Sequence, residues 1–227
     1  MNVHESNASV MPLASTGTEG FQHLENDPEA AGTFNQALVE LTRLTASNVV
    51  RAYDFSSVRH IVDVGGGYGE LLSAILAANS SARGTLFDRP HAIEGARRHL
   101  EQAQLSDRCE FVAGDFFQSV PRGADAYVLK SVIHDWNDEK SGEILRNCRD
   151  AMGPGARLLL VERVLPMRWE TSAAHQSTAR SDLTMLVALA AQERTEDEFR
   201  KLLDSAGFEL TRVCQAGMVS VLEAFPR

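Results

Sequence analysis

His60-Ile61-Val62-Asp63-Val64-Gly65-Gly66-Gly67-Tyr68-Gly69 joins a β-branched apolar run to a cluster of glycines. Directly after it, Glu70-Leu71-Leu72-Ser73-Ala74-Ile75-Leu76 opens a helical pattern. The order is strand, tight turn, helix. Glycines let a backbone turn sharply and let a ligand approach the main chain, and the same turn also serves as plain structure. The spacing is Gly65-x-Gly67-x-Gly69, not the Gly-x-Gly-x-x-Gly of dinucleotide sites. Two acids sharpen the reading. Asp63 precedes the glycines, where a carboxylate would repel a pyrophosphate and suits a cationic or amine-bearing ligand. Asp88 ends the next apolar run, roughly 20 residues on, where α/β nucleotide sites place a ribose-binding acid.

Outward from this unit, strands and helices alternate. Strands are expected at 59–64, 83–88, 109–113, 125–130 and 157–164, with helices at 71–79, 90–104 and 137–152 between them. That alternation predicts an α/β fold with a doubly wound, mostly parallel sheet. Two further strands, 209–215 and 219–225, are separated by Ala216-Gly217-Met218 alone. So short a link cannot cross over, so they form a hairpin and the last strand runs antiparallel, giving seven strands. Residues 166–180 read as a mobile connection and 182–189 as a short apolar helix. Thr195-Glu196-Asp197-Glu198 is a capping box for a helix that buries Phe199, Leu202 and Leu203 and stops at Gly207. Upstream, 1–20 read as a disordered leader and 21–58 as a helical segment. In the latter, Asp27 caps, Pro28 sits in the first turn, and Phe34, Leu38, Leu41, Leu44 and Val49 recur at helical spacing, for packing on the first strand, a shelf beside it, or an exposed apolar face. Residues 59–227 form the remaining domain.

The chain has 227 residues, room for one such domain with an extension, and its 44% hydrophobic content is ample for a core. A net charge of −9 and the lack of a basic run exclude a nucleic-acid surface. Cys109, Cys148 and Cys214 show neither metal nor disulfide spacing, so reduced thiols, a cytoplasmic protein and no metal are expected. No membrane partner is expected, since no apolar run approaches spanning length.

In a parallel sheet the ligand lies beyond the carboxyl ends of the strands. Those ends carry Asp63, Asp88, Asp115, Lys130 and Glu162. Acids that close are unfavourable unless a ligand or hydrogen bonds compensate. The set is either structural or built for a polar, ribose-bearing, cationic ligand, and S-adenosylmethionine has those features. Asp88 would hold its ribose, Asp115 the adenine amine with Phe116 against the ring, and the backbone at Gly65 and Gly67 its amino-acid end. Lys130 either contacts the nucleoside or neutralises the acids. Trp136 either stacks on adenine or fills core.

Asp63-Val64-Gly65-Gly66-Gly67-Tyr68-Gly69, Gly114-Asp115-Phe116-Phe117, Leu129-Lys130-Ser131-Val132-Ile133-His134-Asp135-Trp136 and Glu193-Arg194-Thr195-Glu196-Asp197-Glu198-Phe199 resemble, in that order, motifs of the caffeic-acid-type O-methyltransferases. That family comprises plant phenolic and bacterial polyketide-tailoring enzymes, and the resemblance runs over 21–227. It implies a Rossmann-like class I methyltransferase fold and S-adenosylmethionine-dependent methylation of a hydroxyl on a small aromatic molecule of secondary metabolism. It implies His134 as the catalytic base, Glu162 and Glu193 as its assistants, and Asp135 and Met185 on the acceptor side, Asp135 either binding or capping. Histidine suits the task because its near-neutral pKa lets it take a hydroxyl proton.

Two departures stand out. The family usually has an N-terminal helical domain that forms the dimer and lids the acceptor pocket, and this sequence starts where that domain would end. A weak homodimer, or a partner chain supplying the lid, is the expected consequence, with low activity alone. Ala190-Ala191-Gln192 stands where the family commonly has Gly-Gly. An alternative reading is a truncated or degenerate S-adenosylmethionine-binding module, inactive alone. Structural use of the bound cofactor for other tailoring chemistry is a third. A nicotinamide dehydrogenase is disfavoured by the glycine spacing.

Overall fold

A computed structural model describes residues 27–189 and 191–227. The expected leader, and 21–26 of the helical segment, lie outside the described residues. The first helix, α1 (Pro28–Ala52), starts as its sequence dictates: Asp27 accepts the Ala30 N–H at 3.0 Å and Pro28 occupies the first turn. Of the apolar series at helical spacing, only Val49 is fully buried. Ala31, Asn35, Val39, Thr42, Ala46 and Val49 point inward, while Leu41 and Leu44 are 59% and 72% exposed. The N-terminal half of α1 borders the glycine turn: a Cβ on Gly67 would lie 3.4 Å from the Asn35 side-chain oxygen, and one on Gly32 4.0 Å from the Tyr68 hydroxyl.

The core elements follow: β1 (His60–Val64), α2 (Glu70–Ala78), β2 (Arg83–Asp88), α3 (Pro90–Gln102), β3 (Cys109–Ala113), β4 (Ala126–Lys130), α4 (Asp138–Ala151) and β5 (Arg157–Glu162). Then come β6 (Val164–Leu165), α5 (Ala173–Leu189), β7 (Arg194–Thr195), α6 (Glu196–Ser205), β8 (Phe208–Ala216) and β9 (Val219–Pro226). Seven strands form one sheet in the order β3-β2-β1-β4-β5-β9-β8, parallel except for β9, which runs antiparallel to both neighbours. Successive side chains of a strand face opposite sides. Val62, Tyr127, Leu129, Leu158 and Leu160 accordingly pack on α4 and α6, and Ile61, Leu86, Val128, Leu159 and Val161 on α1, α2 and α3. Fully burying each Leu, Ile or Val contributes about 1.5–3 kcal/mol. The expected capping box is formed: Glu198 Oε2 accepts the Thr195 N–H at 2.8 Å, and Thr195 Oγ1 accepts the Glu198 N–H at 3.3 Å.

Two expectations are corrected. The fifth strand ends at Glu162, not 164, because its partner runs out: Glu162 pairs with Ser220, and β9 begins one residue earlier at Val219. Val164 and Leu165 leave to pair in parallel with Arg194 and Thr195. Most of the expected connection at 166–180 belongs to α5, whose second half is the expected short helix. No Gly or Pro interrupts 170–190. The Ser/Thr content that reads as loop is accommodated, since Thr178 and Thr184 donate their hydroxyls to Ala174 O (3.1 Å) and Arg180 O (2.8 Å) one turn back. Leu183, Leu186 and Val187 of α5 are about 60% exposed rather than buried.

Candidate functional site

The sheet order reverses between β1 and β4, so the loops leaving their carboxyl ends diverge and open a crevice. The glycine turn forms one wall. Gly69 caps α2 in the left-handed region at φ +80°, where an added Cβ would come within 2.6 Å of Leu86 Cδ1 and 2.7 Å of Leu100 Cδ1. Gly65 donates its N–H to Phe87 O at 2.8 Å. Asp88 accepts the Gly67 N–H at 2.7 Å and the Arg89 N–H at 2.6 Å, so it ties the turn to β2. Burial pushes the Asp88 carboxyl up, and these two N–H donors oppose the shift. Asp115 accepts the Phe117 N–H at 2.9 Å and pairs with Arg89 at 2.9 Å.

Asp63 lies beneath the turn, 2% exposed, and its Oδ2 has no hydrogen-bond partner. A Cβ on Gly66 would sit 2.7 Å from that oxygen, so only glycine fits above it without a shift. Burial, then the Asp88 charge, pushes the Asp63 carboxyl up to about 7. Lys130 faces Glu162, Asp63 and Asp135, and burial lowers its pKa against their pull. Phe116 flanks the turn, its ring 3.5 Å from where a Gly65 Cβ would lie. Trp136, 7% exposed, meets Phe117 and Phe116 edge-on at 4.8 and 6.1 Å, in the core cluster.

His134 forms the other wall. Ser131, at φ +54°, swings the chain out of β4. A non-glycine residue held there costs about 1–3 kcal/mol, strain that clusters at functional sites. A single 3-10 turn, Ile133–Asp135, then presents the imidazole. Its Nδ1 lies 3.3 Å from Glu193 Oε1 and 3.7 Å from Glu162 Oε2, and its Nε2 lies 3.4 Å from Asp135 Oδ1. Glu162, fully buried, accepts the N–H of Val132 (3.0 Å) and Ile133 (2.9 Å) with Oε1. Glu193 Oε1 also accepts the Ser181 hydroxyl at 2.7 Å. Burial opposes charging the imidazole, but Glu162, Asp135 and Glu193 outweigh it and hold His134 at about 10. Burial lifts Asp135 to about 7 and raises Glu162, whereas His134, Ser181 and Arg163 outweigh burial and lower Glu193. The ligand atoms of His134, Glu162 and Glu193 lie within 4.8 Å of one another, a donor set that an imidazolium proton or a divalent cation satisfies.

The structure thus groups Asp63, Gly65, Gly67, Asp88, Asp115 and Phe116 on one side and His134, Asp135, Glu162 and Glu193 on the other, with Lys130 between. Met185 is half-buried on α5, where its carbonyl accepts the Ala191 N–H at 3.2 Å. Sequence reading missed Asn35, a buried amide whose oxygen lies 3.4 Å from where a Gly67 Cβ would be. The signal available was an amide among the small residues of α1. It also missed Ser181 and Asp182, which bind the Glu193 side chain and N–H.

Residues 2–209 match the O-methyltransferase domain family. The chain is 48% identical to phenazine O-methyltransferase PhzM of Lysobacter antibioticus, over 92% of this chain and 61% of that protein. It is 33% identical to chavicol O-methyltransferase of Ocimum basilicum, over 98% of this chain and 61% of that protein. Among solved structures, an O-methyltransferase from neocarzinostatin biosynthesis, in complex with S-adenosylmethionine and 2-hydroxy-5-methyl naphthoic acid, superposes with a TM-score of 0.84 at 32% identity, over 92% of this chain and 61% of that one. The chain therefore spans about three-fifths of these relatives, and over that span the glycine turn, the parallel sheet with its antiparallel β9 and the family match agree: it belongs to the O-methyltransferase domain family.

Proposed function

We propose that the protein is an S-adenosylmethionine-dependent O-methyltransferase acting on a hydroxyl of a small aromatic secondary metabolite. The observation that carries this is the His134 imidazole, locked between carboxylates across the crevice from the glycine turn. Residues 59–227 would form the cofactor-binding catalytic domain, with α1 packed against it. The buried, unpartnered Asp63 oxygen fits the cationic amine of this cofactor. Gly65 and Gly67 would hold its amino-acid end, Asp88 its ribose and Asp115 its adenine amine, with Phe116, which meets Trp136 edge-on, beside the ring. The cofactor supplies an electrophilic methyl on a sulfonium and departs as S-adenosylhomocysteine.

Nδ1 of His134 donates to Glu193, which fixes the tautomer and leaves Nε2 to take the acceptor's hydroxyl proton as the oxygen bonds the methyl. Asp135, beside Nε2, orients the acceptor, and Met185 contacts its apolar part. The three carboxylates around His134 make the imidazolium good to form, so turnover rises with pH as the ring gives up its resting proton. The acceptor side is completed by an apolar partner, a second chain or a further domain. Leu41 and Leu44 on α1 and Leu183, Leu186 and Val187 on α5 are exposed apolar surface of the kind that marks interfaces. A cytoplasmic location fits the free thiols. Among the described residues, no helix is long and apolar enough to cross a membrane.

Calorimetry with S-adenosylhomocysteine tests the cofactor site. Mass analysis after incubation with S-adenosylmethionine and 1,4-dihydroxy-2-naphthoic acid or 3-amino-4-hydroxybenzoate tests transfer. Binding with a methylated product supports the enzyme, binding without product supports the module, and no binding overturns both.

A further inference from the structure

Arg194 is a fully buried charge that the proposed chemistry does not use. Its Nη1 donates to Ile133 O at 3.0 Å and its Nη2 to Trp136 O at 2.8 Å. Nε and Nη2 both reach Asp138 Oδ1, at 3.0 and 2.8 Å, and Nη2 lies 3.4 Å from Ser141 Oγ. Ile133 and Trp136 bracket His134 and Asp135. The N–H groups entering the same turn are taken by Glu162 Oε1. The turn is therefore gripped through its amides by Glu162 and through its carbonyls by Arg194. Side chains alternate along an extended chain. Glu193 reaches the imidazole, while the next residue, Arg194, reaches the backbone that carries it, so one segment sets both the ring's partner and the ring's position.

Burying a guanidinium is costly, and an apolar side chain of similar volume often stabilises a fold as well or better. What it supplies that an apolar residue cannot is a planar fork serving two carbonyls and a carboxylate at once. We propose that Arg194 is a positioning residue, fixing the height and tilt of the His134 imidazole through the Ile133 and Trp136 carbonyls. This rests on the reading of His134 as the base.

The test compares Arg194→Lys, Arg194→Met and Asp138→Asn in the full chain. Asp138 is 70% exposed, so its variant retains the fold even where Arg194→Met does not. In Arg194→Lys, S-adenosylhomocysteine affinity stays within about twofold of wild type while kcat falls by roughly 10- to 100-fold, as expected for a misplaced base. The pH–rate midpoint moves with it, and Asp138→Asn moves it in the same direction by less. Histidine side-chain NMR, with His134 assigned by its substitution, follows the imidazole's titration independently of turnover. A shifted titration in Arg194→Lys supports positioning. Wild-type kcat, pH profile and imidazole titration in Arg194→Lys and Asp138→Asn, with only the melting temperature lowered, would overturn it. If wild type methylates no acceptor, the base reading fails, and the imidazole titration alone still decides whether Arg194 sets the ring.

Discussion

The two walls of the crevice are built in opposite ways. The glycine turn takes its geometry from adjacent strands: Val64 pairs with Phe87, so Gly65 and Gly67 fall beside Phe87 and Asp88 by register alone. The His134 wall draws on the exit of β4, the end of β5 and the start of β7, segments that meet only in the folded chain. On the first wall, polar groups are mostly satisfied by backbone N–H donors. On the second, charges satisfy charges, and three carboxylates share one imidazole. A wall set by register tolerates the loss of one side chain better than a wall set by mutual charge, because no buried ion is left uncompensated.

The largest effect is expected where the charged wall loses its centre. His134→Gln keeps a similar shape, so S-adenosylhomocysteine still binds, while turnover falls by roughly 10²–10⁴-fold. Single-turnover rates beside calorimetry make the comparison, and a variant with wild-type rate would remove His134 as base. On the glycine wall, Asp88→Ala leaves the Gly67 and Arg89 N–H groups without their acceptor and removes the proposed ribose contact. S-adenosylhomocysteine binding then weakens by about 1.5–3 kcal/mol, the usual worth of a charged hydrogen bond. Unchanged affinity would show that this wall takes its ligand elsewhere. Gly69→Ala probes the turn as structure. It forces φ +80° on a residue with a Cβ and pushes that Cβ onto Leu86 and Leu100. Urea unfolding should show a loss of about 1–3 kcal/mol. Wild-type stability would mean that the turn relaxes freely.

The same contrast explains what could be read from sequence. The glycine wall was legible because strand, turn and acid follow one another at fixed intervals, and register does the rest. The parallel sheet and the antiparallel β9 were legible for the same local reason: apolar runs of strand length separated by helical periods or by a short turn. His134, Glu162 and Glu193 were nominated through a family resemblance; periodicity carries no information on which distant carboxylate reaches an imidazole. Arg194 sat inside a quoted motif without a role, since its partners are backbone carbonyls 58 and 61 residues away. Which apolar residues of α1 are covered was left open by the sequence, because helical spacing gives the period of a face and not what covers it: Val49 is buried, whereas Leu41 and Leu44 are exposed. The end of β5 was overrun because its apolar run continues into Val164 and Leu165, whose distant partners Arg194 and Thr195 the sequence does not reveal.

Stability against pH gives a further comparison, because the leading group of each wall, Asp63 and His134, titrates in a different window. His134 is held at about 10, above its unfolded value of about 6.5. A group raised in this way stabilises the fold fully below its unfolded pKa and loses that contribution as pH rises through the folded one. The His134 wall should therefore lose stability between about pH 6.5 and 10. Asp63, under the glycine turn, is lifted to about 7 by burial and Asp88, from an unfolded value of about 3.9. Its folded form also binds its proton more tightly, so its contribution fades on going from about pH 4 to 7. Asp135, lifted to about 7 as well, adds to the same lower window. Urea midpoints measured from pH 4 to 10 should thus decline in two stages. Asp63→Asn keeps the shape of the buried acid without its titration and flattens the lower stage in part, leaving the upper one. His134→Gln flattens the upper stage. If Asp63→Asn instead altered the decline above pH 7, the two walls would be one coupled network, and the contrast between register and charge would fail.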